Sequence, residues 1–302
     1  MSFRPGYQRA SSTNLKAAVA ERPLDGKLAV ITGGSRGIGA AIARNLASKG
    51  ASLILGYTSD SSAEPTAKLA SSLESSHGIS VLAVQADMGN SNGPAHLISS
   101  AKNHFSHPRS GKFQIDIIVN NAGVAMNMPL EEIKADEFHR QYTINVLGPI
   151  LLLQAALPYL PTDRSGRIVN LSSVSASLGF VGQTIYGGTK AALEAMTRTW
   201  ARELAERATV NSINPGPVAT DMYGGTSLEF QNHIKPFMQN APLERVRPGI
   251  DEDRFVRDAE RAGGRPAYDY EIAGVVAMLC SEDSGWCTGS VVCANGGMRF
   301  SP

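Results

Sequence analysis

Cysteine is scarce in this 302-residue chain: Cys280, Cys287 and Cys293 are odd in number, fall late and show no Cys-x-x-Cys spacing. That excludes a disulfide framework, speaks against a zinc site and leaves ordinary thiols in a reducing compartment. A charge excess is missing as well, since Lys plus Arg number 28 against 27 for Asp plus Glu. No whole-protein field would draw the chain onto nucleic acid or an anionic membrane, so the expected partner is a small molecule. Long apolar runs are also lacking. The longest, residues 149–160, contains Gln154 and Pro158 and is shorter than the roughly 20 residues of a bilayer span. His77, His96, His104, His107, His139 and His233 show no metal-ligand pairing, so the expected chemistry is metal-free and these residues read as solvated surface. No apolar signal-peptide core stands near the N-terminus. Arg4, Arg9, Lys16 and Arg22 lie there with no acidic residue before Glu21, a faint likeness to an organelle transit peptide. The plainer expectation is a flexible tail over residues 1–23 and a cytoplasmic protein.

What is present is a rhythm. Short β-branched and apolar runs at 28–32, 52–55, 81–85, 115–120, 167–171, 209–213 and 291–293 alternate with helical patterns at 37–49, 63–75, 93–105, 135–159, 184–207 and 270–280. Alternation of this kind predicts βαβ units, hence one doubly wound α/β domain over residues 24–302: a seven-stranded parallel sheet with helices on both faces. The 42% apolar content is ample for its core. Regularity breaks once, over residues 221–267, where Pro236, Pro242, Pro248 and Pro266 surround a charged run at 244–265. That stretch reads as a substrate-side insertion, mobile and with little buried surface.

Directly after the first expected strand comes Thr32-Gly33-Gly34-Ser35-Arg36-Gly37-Ile38-Gly39, which opens a helix. Glycine permits close backbone approach, and a helix N-terminus offers free N–H groups and positive dipole to a pyrophosphate. Because three residues separate Gly33 from Gly37, the turn departs from the common Gly-x-Gly-x-x-Gly form and resembles the short-chain dehydrogenase/reductase family. A ribose-binding acid would stand about twenty residues on, but the position holds Tyr57. Arg36 and the hydroxyls of Thr58 and Ser59 could instead bind a 2′-phosphate, so NADP(H) is the expected cofactor. Asp60 is the one nearby carboxylate against that reading.

Further segments fit the same resemblance. Asp87-Met88 looks like the pair that touches the adenine, and Asn120-Asn121-Ala122-Gly123 like the turn beside the cofactor ribose. In Pro215-Gly216-Pro217-Val218-Ala219-Thr220, the Val218 backbone and Thr220 hydroxyl would hold the nicotinamide carboxamide. Cys287-Thr288-Gly289-Ser290 and Gly296-Gly297 match the last strand and its exit, although Asn295 stands where the family commonly has aspartate.

Tyr186 and Lys190 lie four residues apart, on one face of a helix. Free tyrosine titrates near 10, and bringing it to about 7 asks for roughly 4 kcal/mol of phenolate stabilisation, which a neighbouring ammonium and an oxidised nicotinamide could supply. With Asn145 and Ser173, these residues complete the family's Asn, Ser, Tyr and Lys set. The resemblance implies that Ser173 bonds the substrate carbonyl, Tyr186 transfers the proton, Lys190 binds the nicotinamide ribose and lowers the tyrosine pKa, and Asn145 holds a water. Ser172 reads as structural. The expected activity is an NADP(H)-dependent ketoreductase of the β-ketoacyl or polyketide-naphthol type in a biosynthetic pathway. Its alternatives are an epimerisation or cyclisation on the same frame, and a nucleotide-binding regulator. The apolar faces of helices 135–159 and 184–207 predict a homodimer or homotetramer.

Overall fold

Successive residues of a strand point to opposite faces of a sheet, and in this chain both faces meet helices. The computed structural model describes residues 22–300. Its strands are β1 (Leu28–Ile31), β2 (Ser52–Tyr57), β3 (Val81–Gln85), β4 (Ile117–Asn120), β5 (Gly166–Leu171), β6 (Ala208–Ile213) and β7 (Val291–Val292). They form one seven-stranded sheet in the order β3-β2-β1-β4-β5-β6-β7, with every pairing parallel. The helices are α1 (Gly37–Ser48), α2 (Ala63–His77), α3 (Gly93–Phe105), α4 (Ala135–Tyr142), α5 (Gly148–Ala156), α6 (Ser175–Leu178), α7 (Thr184–Glu203), α8 (Asp221–Gly224), α9 (Leu228–Asn240), α10 (Asp253–Ala262) and α11 (Asp269–Cys280).

Ala29, Ile31, Leu53, Leu55, Ile117 and Val119 point to the side covered by α1, α2 and α11. Leu28, Val30, Ile54 and Ile118 point to the side covered by α3, α5 and α7. Burying a large aliphatic side chain stabilises by about 1.5–3 kcal/mol, so two-sided burial explains why the strands read as continuous apolar runs. The order reverses between β1 and β4. A crevice for ligand opens at such a switch point, beyond the carboxyl ends of the strands.

Two expectations change. The helix foreseen over 135–159 is interrupted by a π turn at Thr143–Leu147, where Gly148 packs so tightly that a Cβ would lie 2.9 Å from the Met88 carbonyl oxygen. The run Ala135–Tyr159 is long and apolar enough to cross a membrane by length and composition, more than the apolar count of 149–160 suggested. Its first turns carry Asp136, Glu137, His139 and Arg140, and its apolar side packs against α3, as in the core helix of a globular domain.

The second change concerns residues 221–267, which hold three helices, α8 to α10. The charged stretch 244–265 is anchored, contrary to the expectation of a mobile insertion. Arg265, with a side chain only 5% exposed, lies 3.2 Å from Asp251 and 2.7 Å from Glu271. Glu244 and Asp251 are buried too, and a parallel bridge joins Val218 to Ala267. Three of the charges that suggested solvent, Glu244, Asp251 and Arg265, lie inside, and the others remain at the surface.

Candidate active site

The phosphate-binding candidate is built on close contact. Gly39 sits where a Cβ would lie 2.1 Å from the Gly33 carbonyl oxygen, so no other residue fits there. Gly37 has φ +51 and faces Thr220, whose methyl would be 3.2 Å from a Cβ, so the turn and the β6 exit loop flank one crevice. No side chain caps the start of α1 at Arg36, and its first turn, Gly37, Ile38 and Gly39, contains no acid. Those features suit an anion. Ser35 stands in the same turn. Arg36 is exposed, with its guanidinium 3.9 Å from the Asp221 carboxylate.

A threonine and an asparagine fix this turn. Thr32 Oγ1 accepts from the backbone N–H groups of Asn121 at 3.1 Å and Ala122 at 3.0 Å. The Asn121 side chain donates to the carbonyls of Thr32 at 2.9 Å and Gly33 at 3.0 Å. Asn121 therefore acts on the glycine turn itself, and what Ala122 and Gly123 offer the cleft is backbone. At the adenine end, β2 finishes on half-buried Tyr57, while Ser59 shares hydroxyl contacts with Ser61 at 3.0 Å and Ser62 at 2.9 Å. Asp60 accepts a 2.7 Å hydrogen bond from Gln85, which ties it to the end of β3. Asp87 accepts from Gly89 N–H at 2.9 Å. Met88 is a core residue, so its side chain does not face a cofactor.

The acid-base candidates converge from three elements, the end of β5, α7 and the π turn. Ser173 and Ser172 follow β5; Ser173 Oγ bonds Ser175 Oγ at 3.0 Å and also engages the Tyr186 hydroxyl. Ser172 donates to Glu194 at 2.7 Å, the structural part expected of it. Tyr186 and Lys190 occupy successive turns of α7, with Lys190 Nζ 5.5 Å from the Tyr186 ring centre. Asn145 is buried in the π turn. Its Nδ2 donates to Val124 O at 2.8 Å and Thr189 Oγ1 at 3.1 Å, while its Oδ1 accepts from Val124 N–H at 2.9 Å. A Cβ on Gly123 would sit 3.3 Å from Asn145 Oδ1 and 3.5 Å from Lys190 Nζ, so glycine there leaves the three groups room to gather. From β6, the Pro215 carbonyl accepts from Val174 N–H at 3.0 Å, Gly216 packs near Glu244, and buried Val218 accepts from Thr220 N–H at 2.7 Å.

Burial shifts both titratable groups of the set. Burial pushes the Tyr186 phenol up to about 12, with the Ser173 hydrogen bond opposing it, and burial pulls Lys190 down to about 8. Burial is the larger influence on Tyr186 in the chain alone, and the expected lowering draws on the oxidised nicotinamide as well as on Lys190. The phenol keeps its proton. Sequence reasoning missed Thr32, Thr189 and Ser175; the position of Thr32 at the head of the glycine turn was the one available signal.

The short chain dehydrogenase family model matches residues 27–229. The L-xylulose reductase of Aspergillus niger is 53% identical over 298 residues, covering 93% of this chain and 99% of that protein. The L-xylo-3-hexulose reductase of Hypocrea jecorina is 53% identical over 300 residues, with 93% and 99% covered. Among solved structures, a blue fluorescent protein from a metagenomic library in complex with NADPH is 34% identical, with a TM-score of 0.75, covering 92% of this chain and 100% of that one. With the crossover order, the glycine turn and these matches in agreement, the chain belongs to the short-chain dehydrogenase/reductase family, a family of oxidoreductases.

Proposed function

We propose that this protein reduces the carbonyl of a polyhydroxylated ketone, a sugar of the ketose class, with NADPH. The observation that carries the reading is the convergence of Ser173, Tyr186 and Lys190 beside the crevice, in a chain 53% identical to an L-xylulose reductase. The glycine turn fits a pyrophosphate because its backbone is bare where a Cβ would clash and the start of α1 is uncapped. Gly33, Ser35, Gly37, Ile38 and Gly39 would hold it, with Arg36, Tyr57 and Ser59 toward the 2′-phosphate, Asp87 and the Met88 backbone toward the adenine. Asn121, Ala122 and Gly123 would line the ribose, and Pro215, Gly216, Val218 and Thr220 the carboxamide. When bound, NADPH supplies the hydride.

The chain's own residues handle the proton. Tyr186, neutral because burial holds its pKa at about 12, donates its proton to the substrate oxygen as negative charge develops there, and Ser173 donates a hydrogen bond to the same oxygen. Lys190 faces the ribose, and Asn145 holds the 124 segment and the Thr189 hydroxyl in place beside it. Residues 24–302 serve as a single catalytic domain. The test is consumption of NADPH with L-xylulose and other ketoses; turnover of none of them, with the protein folded and NADPH bound, rejects the reading.

A further inference from the structure

Gln183 stands at the N-cap of α7, three residues before Tyr186, and is 9% exposed. Its amide N–H donates to Asn127 Oδ1 at 3.1 Å, whereas its Oε1 is enclosed and accepts no hydrogen bond among the described residues. Enclosed side-chain acceptors are normally satisfied, and leaving one orphaned is costly. Asn127 lies on the irregular connection between β4 and α4 and is half-buried. Next to it, Met128 N–H donates to the Gly182 carbonyl at 2.8 Å, so this connection lies directly against the segment leading into α7. The amide pair is thus set one turn from the proton donor.

We propose that Gln183 and Asn127 form the hydroxyl-reading end of the substrate site, the part that recognises a sugar ketone rather than a plain one. The proposal rests on the ketone-reductase reading above. Three residues of helix advance about 4.5 Å along the axis, a span comparable to that from a carbonyl oxygen to a hydroxyl two or three carbons further along the same chain. Turning the Asn127 side chain would open the Gln183 amide toward that hydroxyl. A hydroxyl both donates and accepts, so once Asn127 has turned it can satisfy Gln183 Oε1, or Nε2 if the two amides turn over together. A hydrocarbon chain can do neither and would seal the orphaned acceptor in.

The experiment compares L-xylulose with pentane-2,3-dione, a reactive five-carbon carbonyl compound without hydroxyls, using the full chain and NADPH. Gln183→Met keeps the length and removes the hydrogen bonds. The ratio of kcat/KM for pentulose over dione should fall at least about tenfold, mainly through KM, with NADPH affinity and thermal midpoint close to wild type. Asn127→Ala should shift the ratio the same way and carries the test if Gln183→Met does not fold. An unchanged ratio, whether both substrates suffer alike or neither does, overturns the proposal and leaves the reductase reading standing. Wild-type turnover of the dione but not of the pentulose overturns it too. Failure of the folded, NADPH-bound wild type on both substrates removes the underlying reading itself.

Discussion

Lys190 Nζ donates a 2.7 Å hydrogen bond to the carbonyl oxygen of Leu171, the last residue of β5. The bond ties α7 to the strand that leads into Ser173, so one ammonium orients two members of the site. Burial pulls Lys190 down to about 8, and its positive charge is lost where an ordinary lysine keeps it. If that charge faces the ribose, NADPH affinity should weaken as pH rises through about 8. Stability should move the other way. The folded state binds fewer protons than the unfolded one between about 8 and the ordinary lysine value of 10.5, so this group's contribution to stability rises with pH across that window. A titration of NADPH affinity that stays flat until about 10, the ordinary lysine range, would remove the assignment.

Tyr186→Phe deletes the acid and keeps the ring. Turnover should drop by about 10²–10⁴-fold, the usual contribution of a positioned acid, while the thermal midpoint and NADPH affinity stay near wild type. Retention of more than roughly a tenth of the activity would mean that another group delivers the proton.

Cofactor preference turns on the end of β2. Asp60, the carboxylate nearest that position, is held by Gln85 at 2.7 Å, and Tyr57 occupies the strand end. NADPH should be preferred over NADH, and Tyr57→Asp should erode or reverse that preference by placing a charge against the 2′-phosphate. Equal kcat/KM for the two cofactors in the parent protein sinks the idea.

The sheet was legible because both of its faces are buried, which writes each strand as an apolar run bounded by glycine or polar residues. The nearness of Tyr186 to Lys190 was legible because the two share one helix, where spacing implies proximity. Other features were not. The π turn depends on the packing of Gly148 against Met88, a contact across 60 residues of sequence that no local pattern announces. The same holds for Arg265, whose partners Asp251 and Glu271 stand on either side of it along the chain. Composition registers those three as charge and cannot register that they pair. Gln183 was invisible for a related reason, since its unpartnered oxygen is a fact of enclosure alone.

A homodimer or homotetramer is expected through α4, α5 and α7. Phe138 and Leu147 are each 42% exposed, and a groove lined by His139, Tyr142, Thr143, Val146, Leu147 and Ile150 runs along the same surface. Sedimentation at micromolar concentration should show a species larger than the 32.0 kDa chain, and Phe138→Asp should shift it toward that mass. A purely monomeric parent protein contradicts the expectation.

The ion network over residues 244–271 should hold the fold together, which differs from the expectation of a mobile insertion with little buried surface. Arg265 is the cation shared by Asp251, whose side chain is 1% exposed, and Glu271, at 37%. Removing it leaves Asp251 paired with Arg247 alone, at 3.0 Å, Glu271 without its partner, and Glu244, already pushed up to about 9 by burial, without the neighbour that favours its charge. Breaking a buried pair in this way costs about 3–5 kcal/mol. Because Glu271 reaches solvent and Arg247 still pairs Asp251, the lower end is the ceiling, and about 3 kcal/mol corresponds to a fall of at most roughly 6–12 °C in thermal midpoint for a domain of this size. Arg265→Met is the variant to measure. Arg261→Met is its control, since the Arg261–Asp258 pair is 48% and 43% exposed and such pairs contribute little. Arg265→Met should melt well below wild type, with Arg261→Met close to it. Equal melting of the two variants would show that residues 244–265 are held by something other than these charges.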